Sequence, residues 1–188
     1  LGRQVVYALE NPCYEKIRKV YQANQVKTDW LTMGKDGIET AELERTGAKV
    51  LHVTPFNSYP SGITATASKR AEYLRWAKER QGIIIEDDFD SEFTLLSKPE
   101  DTLFSLEPHG SVIYMNSFSK TIAPSIRAGY LVLPESMMPY YEAKIGFYSC
   151  TVPVFDQLVL AEFINSGNFE RHINRVRRRR RKQFVTSD

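Results

Sequence analysis

Ser111–Leu133 reads SVIYMNSFSKTIAPSIRAGYLVL. Two apolar runs flank it, Val112–Met115 and Ala128–Leu133, each of strand length and rich in β-branched or aromatic residues. Between them lies a polar turn holding Ser117, Ser119, Lys120, Thr121 and Arg127. A lysine at the mouth of a sheet, among hydroxyls and seven residues before an arginine, has two readings. It is a solvated lysine in a strand connection, or a reactive amine beside an anion clamp. Lysine amines form Schiff bases with carbonyls once burial or a nearby cation lowers their pKa. Hydroxyls and a guanidinium suit a phosphate, the guanidinium through bidentate hydrogen bonds.

A second stretch favours the reactive amine. Gly82–Glu86 (GIIIE) predicts a buried strand, and it runs into Asp87-Asp88-Phe89-Asp90-Ser91-Glu92-Phe93. Carboxylates at the end of a strand in an α/β sheet face the usual ligand crevice. A pyridine nitrogen must stay protonated if its ring is to act as an electron sink, and a buried aspartate holds that proton. An amine, a phosphate clamp and such a carboxylate together suggest pyridoxal 5'-phosphate (PLP). Asp87 and Asp88 are both candidates for the carboxylate.

The rest of the chain alternates strand and helix. Strands are expected at Gln4–Ala8, Val26–Met33 and Lys49–Val53, then at 82–86, 111–116 and 128–133. Helices are expected at Tyr14–Asn24, with Tyr14, Ile17, Val20 and Tyr21 on one face, at Ile38–Arg45, and at Ser68–Gln81 with Ser68 as its N-cap. Further helices follow at Glu135–Phe147, Val154–Asn165 and from Asn168 to Phe184. This alternation specifies an α/β fold, a three-layer α/β/α arrangement around a mostly parallel sheet.

Composition bounds the rest. The chain has 188 residues, 42% of them hydrophobic, enough for a real core. No apolar run reaches membrane-spanning length and no signal peptide is visible, so no membrane partner is expected. Two cysteines, Cys13 and Cys150, suggest no disulfide framework, and a cytoplasmic location is the default. No metal is expected. Net charge is +2, yet Arg175, Arg177–Arg181 and Lys182 alone carry seven positive charges. The remainder is mildly acidic and is no obvious nucleic-acid binder. Phe169, Ile173, Val176 and Phe184 fall at helical spacing through the basic run, so it reads as one amphipathic helix with a basic face.

EDDFDSEF followed by SFSKTIAPSIRAGY resembles the aminotransferase-like domain of MocR-type regulators of the GntR family, which belong to the fold type I PLP-dependent aminotransferases (class I/II). ENPCY at Glu10–Tyr14 and TPFNSYPSG at Thr54–Gly62 are further matches, and the resemblance runs from about Val5 to Arg181. It implies that Lys120 is the Schiff-base lysine and Asp87, the first aspartate after the strand, the pyridinium partner. It implies phosphate contacts from Ser117, Ser119 and Arg127, Ser117 being the better of the two serines. Tyr14 takes the place of the aromatic that stacks on the ring. Tyr59 takes the place of the asparagine that bonds the ring oxygen in aspartate aminotransferase.

The resemblance also implies an organisation. Residues 1–167 are expected to be the central part of the PLP-binding large domain, and 168–188 the truncated start of a C-terminal small domain. The family's glycine-containing phosphate loop and the winged helix that contacts DNA are expected outside the chain. A homodimer, and an amino acid or other amino compound as ligand, are implied. Two departures stand out. Phe89 replaces the family's usual tyrosine, and Phe56-Asn57-Ser58 replaces Ser-His-Gln. Three functions therefore stay open: an effector-sensing domain of a regulator, a working amino acid aminotransferase, or a degenerate scaffold.

Overall fold

The computed structural model describes residues 2–88, 91–93 and 100–185. The central strand is β1 (Tyr7–Asn11), and it pairs in parallel with β2 (Thr28–Gly34) on one side and β4 (Val50–Val53) on the other. Strand β5 (Ile83–Asp87) adds in parallel to β4, and β6 (Val112–Ser117) in parallel to β5. The short β3 (Gly37–Ile38) closes an antiparallel hairpin with β2. With β7 (Gly129–Val132) the sheet order is β3-β2-β1-β4-β5-β6-β7. The order reverses between β1 and β4, and the crevice beyond the carboxyl ends of the strands at such a switch point is where α/β sheets take ligands.

The chain divides into two compact units. The first comprises Leu1–Asp88, Asp101–Met115 and Leu131–Met138. Its strands carry helices on both faces. Helix α1 (Glu15–Ala23) lays Ile17 and Tyr21 against Tyr7, Leu9 and Val50. On the other face α2 (Thr40–Arg45), α3 (Ala67–Arg80) and α4 (Leu103–Leu106) bring Leu43, Tyr73, Trp76 and Leu103 onto Ala8, Leu51, Ile84 and Val112. The expected three-layer arrangement is therefore present in this unit. Each face buries one parity of each strand, as the pleat requires.

Boundaries moved for physical reasons. The first strand begins at Tyr7, whose N–H bonds Lys27 O at 2.9 Å, and continues through Glu10 and Asn11 beside Leu31 and Thr32. Alternation of apolar residues cannot signal this extension, because its polar member Glu10 is buried. Helix α3 is capped by Thr66, not Ser68: Thr66 Oγ1 accepts from the N–H of Lys69 at 3.3 Å, and the Ser68 hydroxyl turns back to Thr66 at 3.0 Å. The polar turn around Lys120 is in part a short helix, α5 (Phe118–Thr121).

The second unit comprises Phe89–Glu100, Asn116–Tyr130 and Pro139–Asp188. It holds α5, most of α6 (Met138–Ile145), α7 (Val154–Asn165) and α8 (Asn168–Val185). Leu160 of α7 and Ile173 of α8 are buried, and Phe163 meets Phe169 edge-on at 6.2 Å. His172 Nε2 lies 2.9 Å from Thr121 O, so it carries the proton and donates. Two of the clustered arginines are spent within the unit. Arg177 Nε donates to Glu92 O at 2.5 Å, and Arg180 lies over the Phe93 ring at 4.5 Å. Arg178 and Arg179 remain on the exposed face. Among the described residues no helix is long and apolar enough to cross a membrane.

Tyr73 is the largest fully buried side chain, and its hydroxyl accepts the N–H of Ile38 at 2.8 Å. The hairpin turn is shaped around it. Gly37 has φ +127°, and a Cβ there would stand 2.5 Å from the Tyr73 oxygen. Tyr73→Phe strands a buried N–H and is expected to lower unfolding free energy by about 1–3 kcal/mol. Urea denaturation followed by circular dichroism reads the change.

Candidate functional site

The carboxyl ends of β1, β4 and β5 in the first unit carry a set of polar side chains with distinct partners. Glu10 ends the buried part of β1. Its carboxylate accepts the N–H of Thr54 at 3.0 Å and the hydroxyl of Ser58 at 2.5 Å, which ties the loop after β4 to β1. Burial raises its pKa from 4.5 to about 7, against the lowering effect of both hydrogen bonds; the Asp87 charge raises it further. The three carboxylates that close β5 divide between the sheet faces. Glu86 is fully buried on the α3 side and accepts the N–H groups of Leu103 and Phe104 at 2.8 and 2.9 Å, as an N-terminal anchor for α4. Its pKa is likewise raised to about 7, mainly by burial. Asp88 is fully buried and accepts the Tyr114 hydroxyl at 2.8 Å. Asp87 points to the α1 side, is partly open, and has His52 Nε2 at 3.7 Å. Strand parity thus distinguishes Asp87 from Asp88: only Asp87 is left with an accessible carboxylate.

Tyr14 stands at the N-cap of α1 and Tyr59 in the loop after β4. Their rings meet edge-on at 5.7 Å and 83°, and both are substantially exposed, 40% and 60%. The replaced triplet has local duties. Phe56 is buried beneath the Arg70 guanidinium at 5.2 Å, the Asn57 N–H bonds Thr64 Oγ1 at 3.0 Å, and Ser58 holds Glu10.

The other expected site residues lie in the second unit. Ser117 is the N-cap of α5, with its N–H on Asn116 Oδ1 at 2.6 Å. The Ser119 hydroxyl donates to Ile126 O at 2.7 Å and accepts from Arg127 Nη1 at 2.9 Å. Lys120 sits exposed in the last turn of α5. The turn therefore sets a guanidinium against a hydroxyl, and the residue after that serine is an exposed lysine. That donor set suits a phosphate ester bearing a carbonyl, which is the chemistry of PLP. Phe89 lies outside the described residues.

Sequence reasoning left Glu10 and His52 without roles. Glu10 had a signal, a carboxylate inside an apolar strand. His52 had a similar one, a histidine inside VLHV.

Because Glu10 and Glu86 bind protons more tightly in the folded chain, stability is greatest below pH 4.5 as far as these two are concerned. It is lost as pH rises through about 7, since the unfolded chain then holds fewer protons than the native one. Glu10→Gln keeps a neutral donor and acceptor in place and should remove about half of that slope, roughly 3 kcal/mol at most. Melting curves from pH 4.5 to 8 measure it.

Comparison with known proteins identifies the family. The sequence profile of the family described as aminotransferase class I and II matches residues 11–186. The uncharacterized HTH-type transcriptional regulator YdeL of Bacillus subtilis is 36% identical over 174 residues, which are 93% of this chain and 38% of that protein. The probable rhizopine catabolism regulatory protein MocR of Rhizobium meliloti is 29% identical over 180 residues, 94% of this chain and 36% of that one. The crystal structure of Pyrococcus horikoshii kynurenine aminotransferase in complex with PMP superposes with a TM-score of 0.83 at 27% identity, over 93% of this chain and 45% of that chain. The chain thus spans less than half the length of these relatives. A matched profile across nearly the whole chain and a sheet of this topology lead to one conclusion: the chain belongs to the aminotransferase class I and II family.

Proposed function

We propose that this chain is the PLP-binding part of a MocR-type, GntR-family transcription regulator, where it senses an amino compound. The observation that carries the reading is the α5 turn, with Lys120 beside a serine that already holds Arg127. The likeness to YdeL and MocR over more than nine-tenths of the chain favours sensing over turnover. PMP, the ligand in the kynurenine aminotransferase structure, is the amine form of the same cofactor. That likeness supports the second reading, a working aminotransferase.

PLP supplies an electrophilic carbonyl and, with its ring nitrogen protonated, an electron sink. Lys120 Nζ would hold the group at that carbonyl, whose oxygen would leave as water, and would take up the proton of an incoming amine that displaces it. Asp87 would hold the proton on the ring nitrogen. Arg127, Ser117 and Ser119 would bind the phosphate. Tyr14 would lie against the ring face, and the Tyr59 hydroxyl would meet the ring oxygen. In the regulator, exchange at Lys120 would be read by a winged-helix DNA-binding domain. A cytoplasmic homodimer in which residues 1–167 are central to the large domain and 168–188 open the small domain completes the proposal.

PLP titrated into the chain should give a visible absorbance band that Lys120→Ala abolishes. Asp87→Ala should weaken PLP ten- to a hundredfold, about 1.4–3 kcal/mol, the range of a hydrogen bond to a charged group. Asp88→Asn should lower thermal stability instead and leave affinity within twofold. Retention of the band in Lys120→Ala would overturn the reading. Steady production of keto acid by the wild-type protein would favour the aminotransferase.

A further inference from the structure

The structure assigns to His52 the role of a positioning residue for Asp87, holding the carboxylate through Nε2 while the Tyr21 hydroxyl fixes its tautomer through Nδ1. The assignment rests on the proposed role of Asp87 towards the cofactor's ring nitrogen.

His52 lies in the middle of the sheet, paired with Leu9 of β1 and Ile85 of β5. Asp87 follows Ile85 by two residues, so both side chains leave the same face. That face is covered by α1, whose Tyr21 oxygen is 2.9 Å from His52 Nδ1. The imidazole is only 8% exposed. Its Nε2 is enclosed and has no hydrogen-bond partner, with Asp87 Oδ2 the facing acceptor at 3.7 Å. A neutral imidazole has one donor and one acceptor, and a carboxylate only accepts. The proton therefore belongs on Nε2, which leaves Nδ1 to accept from Tyr21. Tyr21 is suited to this: burial first, then Tyr7 and Asp87, raise its pKa, so it keeps its proton. The other titratable neighbours are Tyr7, whose ring meets Tyr21 at 5.4 Å, and Glu10, which feels the Asp87 charge.

A separation of 3.7 Å is longer than a hydrogen bond. Hydrogen bonds between catalytic groups tighten when the reacting complex forms. A buried N–H without an acceptor is costly, so His52 favours the Asp87 rotamer that closes the gap. A histidine of merely structural value would be replaced by phenylalanine, which fills the same space, without effect on the cofactor.

The test has two arms on the full chain. In the first, nitrogen-15 NMR of labelled histidine at pH 8 without cofactor reads the tautomer, with the signal assigned by its loss in His52→Gln. The expected form is Nε2–H, with that preference reduced in Asp87→Asn and in Tyr21→Phe. An Nδ1–H form, or a preference untouched by both variants, overturns the inference. In the second arm, His52→Phe should weaken PLP at least fivefold and move its absorbance maximum, while His52→Gln, whose amide N–H reaches the same place, should restore both to near wild type. Unchanged affinity and spectrum in His52→Phe overturn the inference. If His52→Phe does not fold, Tyr21→Phe is read for the same shift with the same consequence. Absence of a Lys120-dependent band in the wild type would instead overturn the proposed function, and the first arm would still decide the arrangement.

Discussion

The buried carboxylate of Glu10 is the constraint from which the polar end of the first unit follows. It sits at the end of the central strand, where β1 has neighbours on both sides. A charge there is costly unless donors reach it. Thr54 and Ser58 do so, and the loop that supplies them also carries Tyr59. The chain beyond Glu10 turns through Asn11–Cys13 into α1, which starts beside Tyr14. One carboxylate thereby fixes both flanks of the Tyr14–Tyr59 pair. Its raised pKa is the mark of that position: two hydrogen bonds do not fully offset the loss of water.

The run Glu86-Asp87-Asp88 shows how a pleated strand distributes three like charges. Packed together on one face, three like charges would repel one another. Alternation sends Glu86 and Asp88 to the α3 side, where one holds the start of α4 and the other the Tyr114 hydroxyl. Asp87 alone faces α1, where its neighbours are a histidine and a tyrosine. The two structural carboxylates are closed off by their partners, which leaves the middle one available for chemistry.

Much of this fold was legible in the sequence, because apolar runs mark the buried strands: the parallel core strands fall within a few residues of expectation. Val154–Asn165 has the bounds expected of it, although most of its apolar side chains are exposed. What periodicity cannot see is a buried polar residue. Glu10 and His52 read as interruptions of strands, yet both are enclosed and held by partners distant in sequence. The cap of α3 was misplaced for a related reason: Thr66 and Ser68 are both good caps, and only the reach to Lys69 N–H separates them. For the candidate site, motif matching located the turn and the strand end. It could not say which aspartate was open, because that depends on strand parity and on Tyr114.

The triplet Phe56-Asn57-Ser58 bears on whether the site has been kept. Matched against the family's Ser-His-Gln it looks like decay, and a decayed loop would favour a scaffold without a ligand. Its hydrogen bonds argue otherwise. Phe56 is packed under a buried arginine, Asn57 takes a left-handed conformation at φ +54° that asparagine tolerates well, and Ser58 delivers its hydroxyl to Glu10 at 2.5 Å. A longer side chain at position 58 could not make that contact without moving the loop. The substitution at 58 is thus coupled to the carboxylate at 10, and the loop that presents Tyr59 is rebuilt, not lost. A sequence drifting without function has no reason to keep a costly buried carboxylate satisfied. The departures therefore leave a loop that is packed and hydrogen-bonded as part of the fold.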